Sequence, residues 1–132
     1  MKFLEPYSSY LLSVLRIISG LLFLQHGTTK YLNLPVSDFS NASPFTMSGA
    51  SGLFELVGGT LVVIGLFTRP VAFILSGNMA VAYFYAHFPR SFFPLLNGGE
   101  LAALYCFVFL FIAAAGGGAW SVDRFRGAKK LG

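Results

Sequence analysis

Residues Arg16 to Lys30 read RIISGLLFLQHGTTK. The run is apolar enough to lie in lipid, yet it carries Arg16, His26 and Lys30. Ionisable groups inside a membrane face a protein interior or a watery cavity, because hydrocarbon cannot solvate them. Steps of three and four connect Arg16, Gly20, Phe23, Gly27 and Lys30, with Ser19 and His26 beside them. On an α-helix these share one side. Leu15, Ile18, Leu21 and Leu22 occupy the other side, which suits lipid. One reading is an ion pair locking this helix to a neighbour; the other is a binding site.

The composition sets the class. The chain has 132 residues, 55% hydrophobic and 11% charged, with a mean hydropathy of +0.70. Soluble domains carry about 25% charged residues. A soluble fold of this size has too little interior for so much apolar surface, so one integral membrane domain is expected. The net charge is +4, but Arg124, Arg126, Lys129 and Lys130 gather behind the last apolar run. That is a topology signal, and no nucleic-acid partner is expected. Cys106 is the single cysteine, so no internal disulfide or thiol pair can form. The first apolar region is too long, and too interrupted by Arg16, for a cleaved leader.

Four spans are expected, roughly over 8–32, 51–67, 70–88 and 99–118, forming an all-α bundle. Asn33 to Gly49 is a polar connection in which Pro35 and Pro44 discourage a continuous helix; its length fits a lid over one mouth of the bundle, and equally an ordinary surface loop. In the second span Glu55, Gly58, Gly59, Val62 and Leu66 share a face, and the glycines admit a neighbouring backbone. Thr68-Arg69-Pro70 reads as a tight turn. In the third span Ser76, Ala80, Tyr83, His87 and Arg90 form one stripe. Phe88 to Gly98 is a connection rich in aromatics. Glu100 opens the fourth span, where its charge suits the positive helix end, and Trp120 marks the opposite interface.

An even number of spans puts both termini on one side, with Lys2, Arg69 and the basic tail; Lys30 and Arg90 lie on the other. The positive-inside rule makes the first side cytoplasmic. His26, Lys30, Glu55, His87, Arg90 and Glu100 are then expected together at the outer helix ends, as a ligand-binding or proton-exchange cluster. Arg16 lies deeper, a buried charge within reach of Glu55 or Asp123. Histidine and carboxylate groups exchange protons near neutral pH, and a quinone head group needs donors at its carbonyls and acceptors for its quinol form. A transition metal on His26, His87, Glu55 and Glu100 is the weaker alternative, since no H-x-x-E, E-x-x-H or C-x-x-C spacing occurs. No catalytic residue and no intrinsic cofactor is assigned.

Several of these stretches resemble one family. The pattern R-I-x-x-G-L-L-F-L-Q-H-G-x-x-K at Arg16 to Lys30 is similar to the first-helix signature of DoxX-like membrane proteins. Glu55 with Gly58-Gly59, then Gly65-Leu66 and Thr68-Arg69-Pro70, resembles its second-helix motif. Met79, Ala82 and His87 match the third helix. Asn97, Gly98, Glu100, Gly116 to Gly118, Ser121 and Asp123 match the fourth. The resemblance covers roughly residues 14 to 124. It implies a multi-pass four-helix bundle in a bacterial cytoplasmic (inner) membrane. The founding name belongs to a subunit of a thiosulfate:quinone oxidoreductase, and other members are linked to oxidative-stress complexes.

The expected function is therefore a membrane subunit of a quinone-linked oxidoreductase or redox-stress complex, with a bound quinone and a separate redox partner carrying electrons. Without a second cysteine, sulfur chemistry through a protein disulfide is not expected. A small proton or solute transporter, or an assembly subunit without its own chemistry, are the alternatives. The small-residue surfaces at Gly58-Gly59 and Ala113 to Gly118 suit packing within the bundle or between copies in a homo-oligomer.

Overall fold

The computed structural model describes the backbone of residues 1–131 and the side chains of 1–127, so the side chains of Lys129 and Lys130 lie outside the described residues. The elements are α1 (Ser8–Leu32), α2 (Met47–Ile64), α3 (Thr68–Ala82), α4 (Pro94–Asn97), α5 (Glu100–Ala115) and α6 (Val122–Leu131). Among the described residues there is no strand. Three helical stretches, Glu5–Leu32, Met47–Ile64 and Thr68–Arg90, are long and apolar enough to cross a membrane.

The helix ends follow from local chemistry. Asn33 closes α1 in the left-handed region, at φ 52°. The Thr46 hydroxyl accepts from the Gly49 N–H and starts α2 at Met47, earlier than the expected 51. Gly65, at φ 74°, ends α2; a left-handed residue there costs glycine nothing, since it lacks a Cβ. The turn is therefore Gly65 to Phe67, and Thr68-Arg69-Pro70, expected as the turn, forms the first turn of α3. Proline is tolerated there because its missing N–H has no helical partner. α5 stops at Ala115 rather than 118, where Gly116 and Gly118 take positive φ. At 16 residues it is about 24 Å long, against the ~30 Å of a hydrocarbon core. α6 was not expected as a helix.

The third-span stripe is also corrected. After Ala82 the chain makes one π turn, Tyr83–His87, then a 3-10 turn, Phe88–Arg90. A π turn inserts a residue and rotates everything beyond it by about 100°. His87 is therefore only half-buried and Arg90 is exposed.

Neighbouring helices run in opposite directions. Gly20 of α1 lies against Val62 and Val63 of α2, and Gly27 against Gly52 and Leu56. A Cβ on Gly27 would sit 2.7 Å from the Leu56 nitrogen, so this crossing needs a residue without one. Ser76 of α3 bonds the Cys106 carbonyl of α5 at 2.7 Å. Phe23, Val62, Ala72, Leu75, Met79, Tyr105, Phe109 and Ile112 form the apolar core. Leu15, Ile18, Leu21 and Leu22 are exposed, as the helical spacing predicts for a lipid-facing side.

Arg16 ties one end of this assembly together. It is fully buried, at 0% exposure. Nε donates to the Gly117 carbonyl at 2.8 Å, and Nη1 to Val62 and Val63 at 2.7 and 2.5 Å. Nη2 donates to Trp120 O. Ser13 Oγ donates to Gly117 O at 3.1 Å and accepts from the Trp120 N–H at 2.9 Å. The expected pairing of Arg16 with Glu55 or Asp123 does not form. A guanidinium carries five donors, and four of its N–H bonds go to carbonyls at the end of α2 and in the glycine turn, so Arg16 is used as a cap. Asp123 serves the other half of the same corner. Its carboxylate accepts from the N–H groups of Phe67 and Thr68, both at 2.8 Å, and its own N–H bonds Gly65 O at 2.9 Å. Arg69 caps α5 through the carbonyls of Ala114 and Ala115.

Two outcomes are expected. Arg16→Met removes four hydrogen bonds made by a buried guanidinium and should cost roughly 3 kcal/mol or more; Arg16→Lys should recover little, because an ammonium cannot span the fork. Thermal unfolding in detergent measures both. Partial burial alone would raise the Asp123 carboxyl, but the bonds from Thr68 and Phe67, with Arg126 nearby, hold it below the usual carboxylate range. A depressed folded pKa means stability that is present above the unfolded value of about 3.9 and lost as pH falls through the folded pKa. Asp123→Asn should remove that acid-limb component from a melting-temperature-versus-pH series.

Candidate functional site

The second polar cluster lies at the far end of α1, fourteen positions beyond Arg16 and about 21 Å along the helix. Lys30 Nζ meets Glu55 Oε1 at 3.0 Å. Their residues are 7% and 4% exposed. Gly52, one turn before Glu55, leaves room for the lysine stem; a Cβ there would meet Lys30 Cδ at 2.9 Å. Ser51 Oγ donates to the same Glu55 oxygen at 3.1 Å, and Asn78 Nδ2 of α3 donates to Ser51 Oγ at 3.2 Å. Glu55 Oε2 is buried and has no hydrogen-bond partner among the described residues. Leaving a buried acceptor unpaired is costly, more so on a charged group.

His26 lies one turn before Lys30 on α1, half-buried, within electrostatic reach of both Glu55 and Lys30. Its ring meets that of Tyr105 edge-on, with centroids 6.3 Å apart. Tyr105 belongs to an aromatic floor with Phe23 and Phe109, at centroid separations of 5.5 and 5.6 Å. Above the pair, the connection from α1 to α2 folds back onto α1. Thr28 Oγ1 bonds Leu34 O at 2.5 Å, the Ala42 N–H bonds Lys30 O at 3.2 Å, and Tyr31 OH bonds Gly49 O at 2.5 Å.

The structure thus brings together His26, Lys30 and Glu55 and leaves the other three expected members elsewhere. His87 Nδ1 lies 3.1 Å from the Asn97 carbonyl. Asn97 is buried and organises that turn, bonding Ser91 O at 3.0 Å, Tyr83 OH at 3.2 Å and the Gly99 N–H at 2.7 Å. Arg90 and Glu100 are exposed. The π turn moves Arg90 off the inner face, and Glu100 starts α5 on its outer side. No three of His, Cys, Asp and Glu gather around a common point among the described residues, so His26, His87, Glu55 and Glu100 do not form the metal set weighed from sequence.

Sequence reasoning missed Ser51, Asn78 and Tyr105 in the site. Ser51 could have been found, since it precedes Glu55 by one helical turn. Asn78 and Tyr105 arrive from other helices, and nothing local marks them.

These features define a small helical membrane protein with a buried arginine cap at one end and a buried, half-satisfied ion pair at the other. Residues 11–88 match the DoxX family, and the chain belongs to that family. It is 44% identical over 128 residues to an uncharacterized protein of Haemophilus influenzae, covering 93% of this chain and 96% of the relative. No solved structure matches.

Removing one member of the buried pair should be worse than removing both. Lys30→Met, which leaves the Glu55 carboxylate alone, should cost about 3 kcal/mol, and Lys30→Met with Glu55→Met clearly less. A double-mutant cycle on detergent-solubilised protein checks the ordering.

Proposed function

We propose that this chain is a multi-pass subunit of a redox complex in a bacterial cytoplasmic membrane, binding a small carbonyl- or hydroxyl-bearing ligand such as a quinone head group beside Glu55. α1, α2, α3 and α5 are its four spans, forming a bundle with both termini cytoplasmic. The reading rests on the unpartnered Glu55 Oε2. That atom is an acceptor, suited to a quinol hydroxyl. Among the described residues Lys30 Nζ donates to Glu55 Oε1 alone, and an ammonium has three donors, so it suits a quinone carbonyl. One ion pair therefore offers the group that each oxidation state needs. His26 stands near enough to exchange a proton with the pair. Electrons belong to a partner subunit, since no cofactor motif occurs in the chain.

A proton or solute channel is less well supported. Between the two clusters lie Phe23, Val62, Leu75, Phe109 and Ile112, each at most 1% exposed. The only buried side-chain polar groups described at that level are the hydroxyls of Ser19 and Ser76, and that of Ser76 is spent on the Cys106 carbonyl, so no chain of ionisable groups joins the clusters.

The test is mass spectrometry of what co-purifies in mild detergent. A stoichiometric quinone is expected with the wild type, absent from Glu55→Gln and His26→Phe, and retained by Glu100→Gln. Helicity by circular dichroism should be unchanged in all three. Bulk lipid alone in the wild type, or equal retention in Glu55→Gln, would overturn the quinone reading and favour an assembly role for the pair.

A further inference from the structure

At the Arg16 end, a groove of about 970 Å³ runs between the first turns of α1 and the last turns of α5. Its polar rim carries Arg69 and Arg124, with Ser8 and Ser9 between them. Its floor is apolar, with Leu11, Leu12, Leu15 and Phe111. The Gly116 to Gly118 turn forms one wall without side chains. Asp123 also lines the groove, but both carboxylate oxygens are engaged by the N–H groups of Phe67 and Thr68.

We infer that this groove is a binding site for an anionic phospholipid, its phosphate between Arg69 and Arg124 and one acyl chain along Leu11, Leu15 and Phe111. Three observations converge. The rim offers two guanidinium groups, and neither is saturated by the described residues. Arg69 donates to Ala114 and Ala115 and Arg124 to Ser9 Oγ, at 3.2 Å for the last; each guanidinium has five donors, in a fork that suits phosphate oxygens. The floor lies on the apolar faces of α1 and α5, where a lipid chain replaces lipid contact at no cost but a free phosphate or an acidic peptide gains nothing. The order of the lining along the helices, cationic at the end and apolar one to two turns in, is the order of groups in a phospholipid. Basic pockets between helices on the cytoplasmic side are the kind that hold anionic head groups. The site is separate from the Glu55 cluster and independent of the ligand proposed there.

Trp120, the single tryptophan, adjoins the groove residue Ser121 and packs on Tyr10 with ring centroids 5.2 Å apart. It reports on lipid at this end. The protein is reconstituted into phosphatidylcholine vesicles containing phosphatidylglycerol with brominated chains, or brominated phosphatidylcholine as the reference. Trp120 quenching gives the relative association constant. Phosphatidylglycerol should be preferred, by roughly five-fold for each arginine engaged. Arg124→Gln should lower the preference by about that factor, and Arg69→Gln with Arg124→Gln should abolish it. Arg126→Gln should leave it unchanged, because that guanidinium lies 5.3 Å over the Phe67 ring and does not line the groove. Millimolar inorganic phosphate should not compete.

Equal quenching by the two lipids would overturn the proposal. So would a preference that survives Arg124→Gln, or one that falls as much in Arg126→Gln, which would indicate only surface attraction to α6. Competition by phosphate would replace the lipid with a free anion. Arg69 caps α5, so Arg124→Gln alone decides if the double variant does not fold.

Discussion

The structure depends on one guanidinium supplying hydrogen bonds where water cannot. A helix that ends in an apolar setting leaves carbonyls without donors, and each costs free energy if unpaired. Arg16 reaches the last turn of α2 and the Gly117–Trp120 turn at once. It thereby holds α1, α2 and the segment after α5 in one corner. Asp123 completes the corner from the opposite charge, accepting the first free N–H groups of α3. The two make no direct ion pair; each is hydrogen-bonded by peptide groups whose dipoles have the opposite polarity.

This separates two uses of charge in one small protein. The Arg16 corner is closed, its donors directed at carbonyls of known position. The Lys30–Glu55 pair is open, since one carboxylate oxygen accepts from nothing among the described residues. A pair serving only as helix glue would be better satisfied; charges brought into an apolar interior gain most when every lone pair is used. The covering connection and the aromatic floor of Phe23, Tyr105 and Phe109 give that oxygen a defined surrounding. Between the clusters lies a mainly apolar layer of Phe23, Val62, Leu75, Phe109 and Ile112, with no ionisable side chain among these residues.

Much of α1 was legible from residue spacing. Arg16, Gly20, Phe23, Gly27 and Lys30 are all buried, and Leu15, Ile18, Leu21 and Leu22 all exposed, because helical geometry alone decides which residues share a face. The face of α2 from Glu55 to Val62 follows the same rule. The rule failed in α3 at the π turn, because one inserted residue breaks the period without leaving a mark in composition. Gathering His26, Lys30, Glu55, His87, Arg90 and Glu100 by depth alone failed for a related reason. Depth says which end of a helix a residue occupies, not which way it faces.

The sequence by itself determined the class of protein, the faces of α1 and α2, and the fact that charges must be buried, since these follow from hydropathy and the 3.6-residue period. The tertiary structure alone decided the partners. Arg16 had carboxylates within plausible reach and took carbonyls, while Glu55 took Lys30 and gained Ser51, Asn78 and His26 as neighbours. Partner choice depends on where separate helices cross and where their ends leave backbone groups unpaired. Those are distances between segments remote in the chain, and no local pattern encodes them.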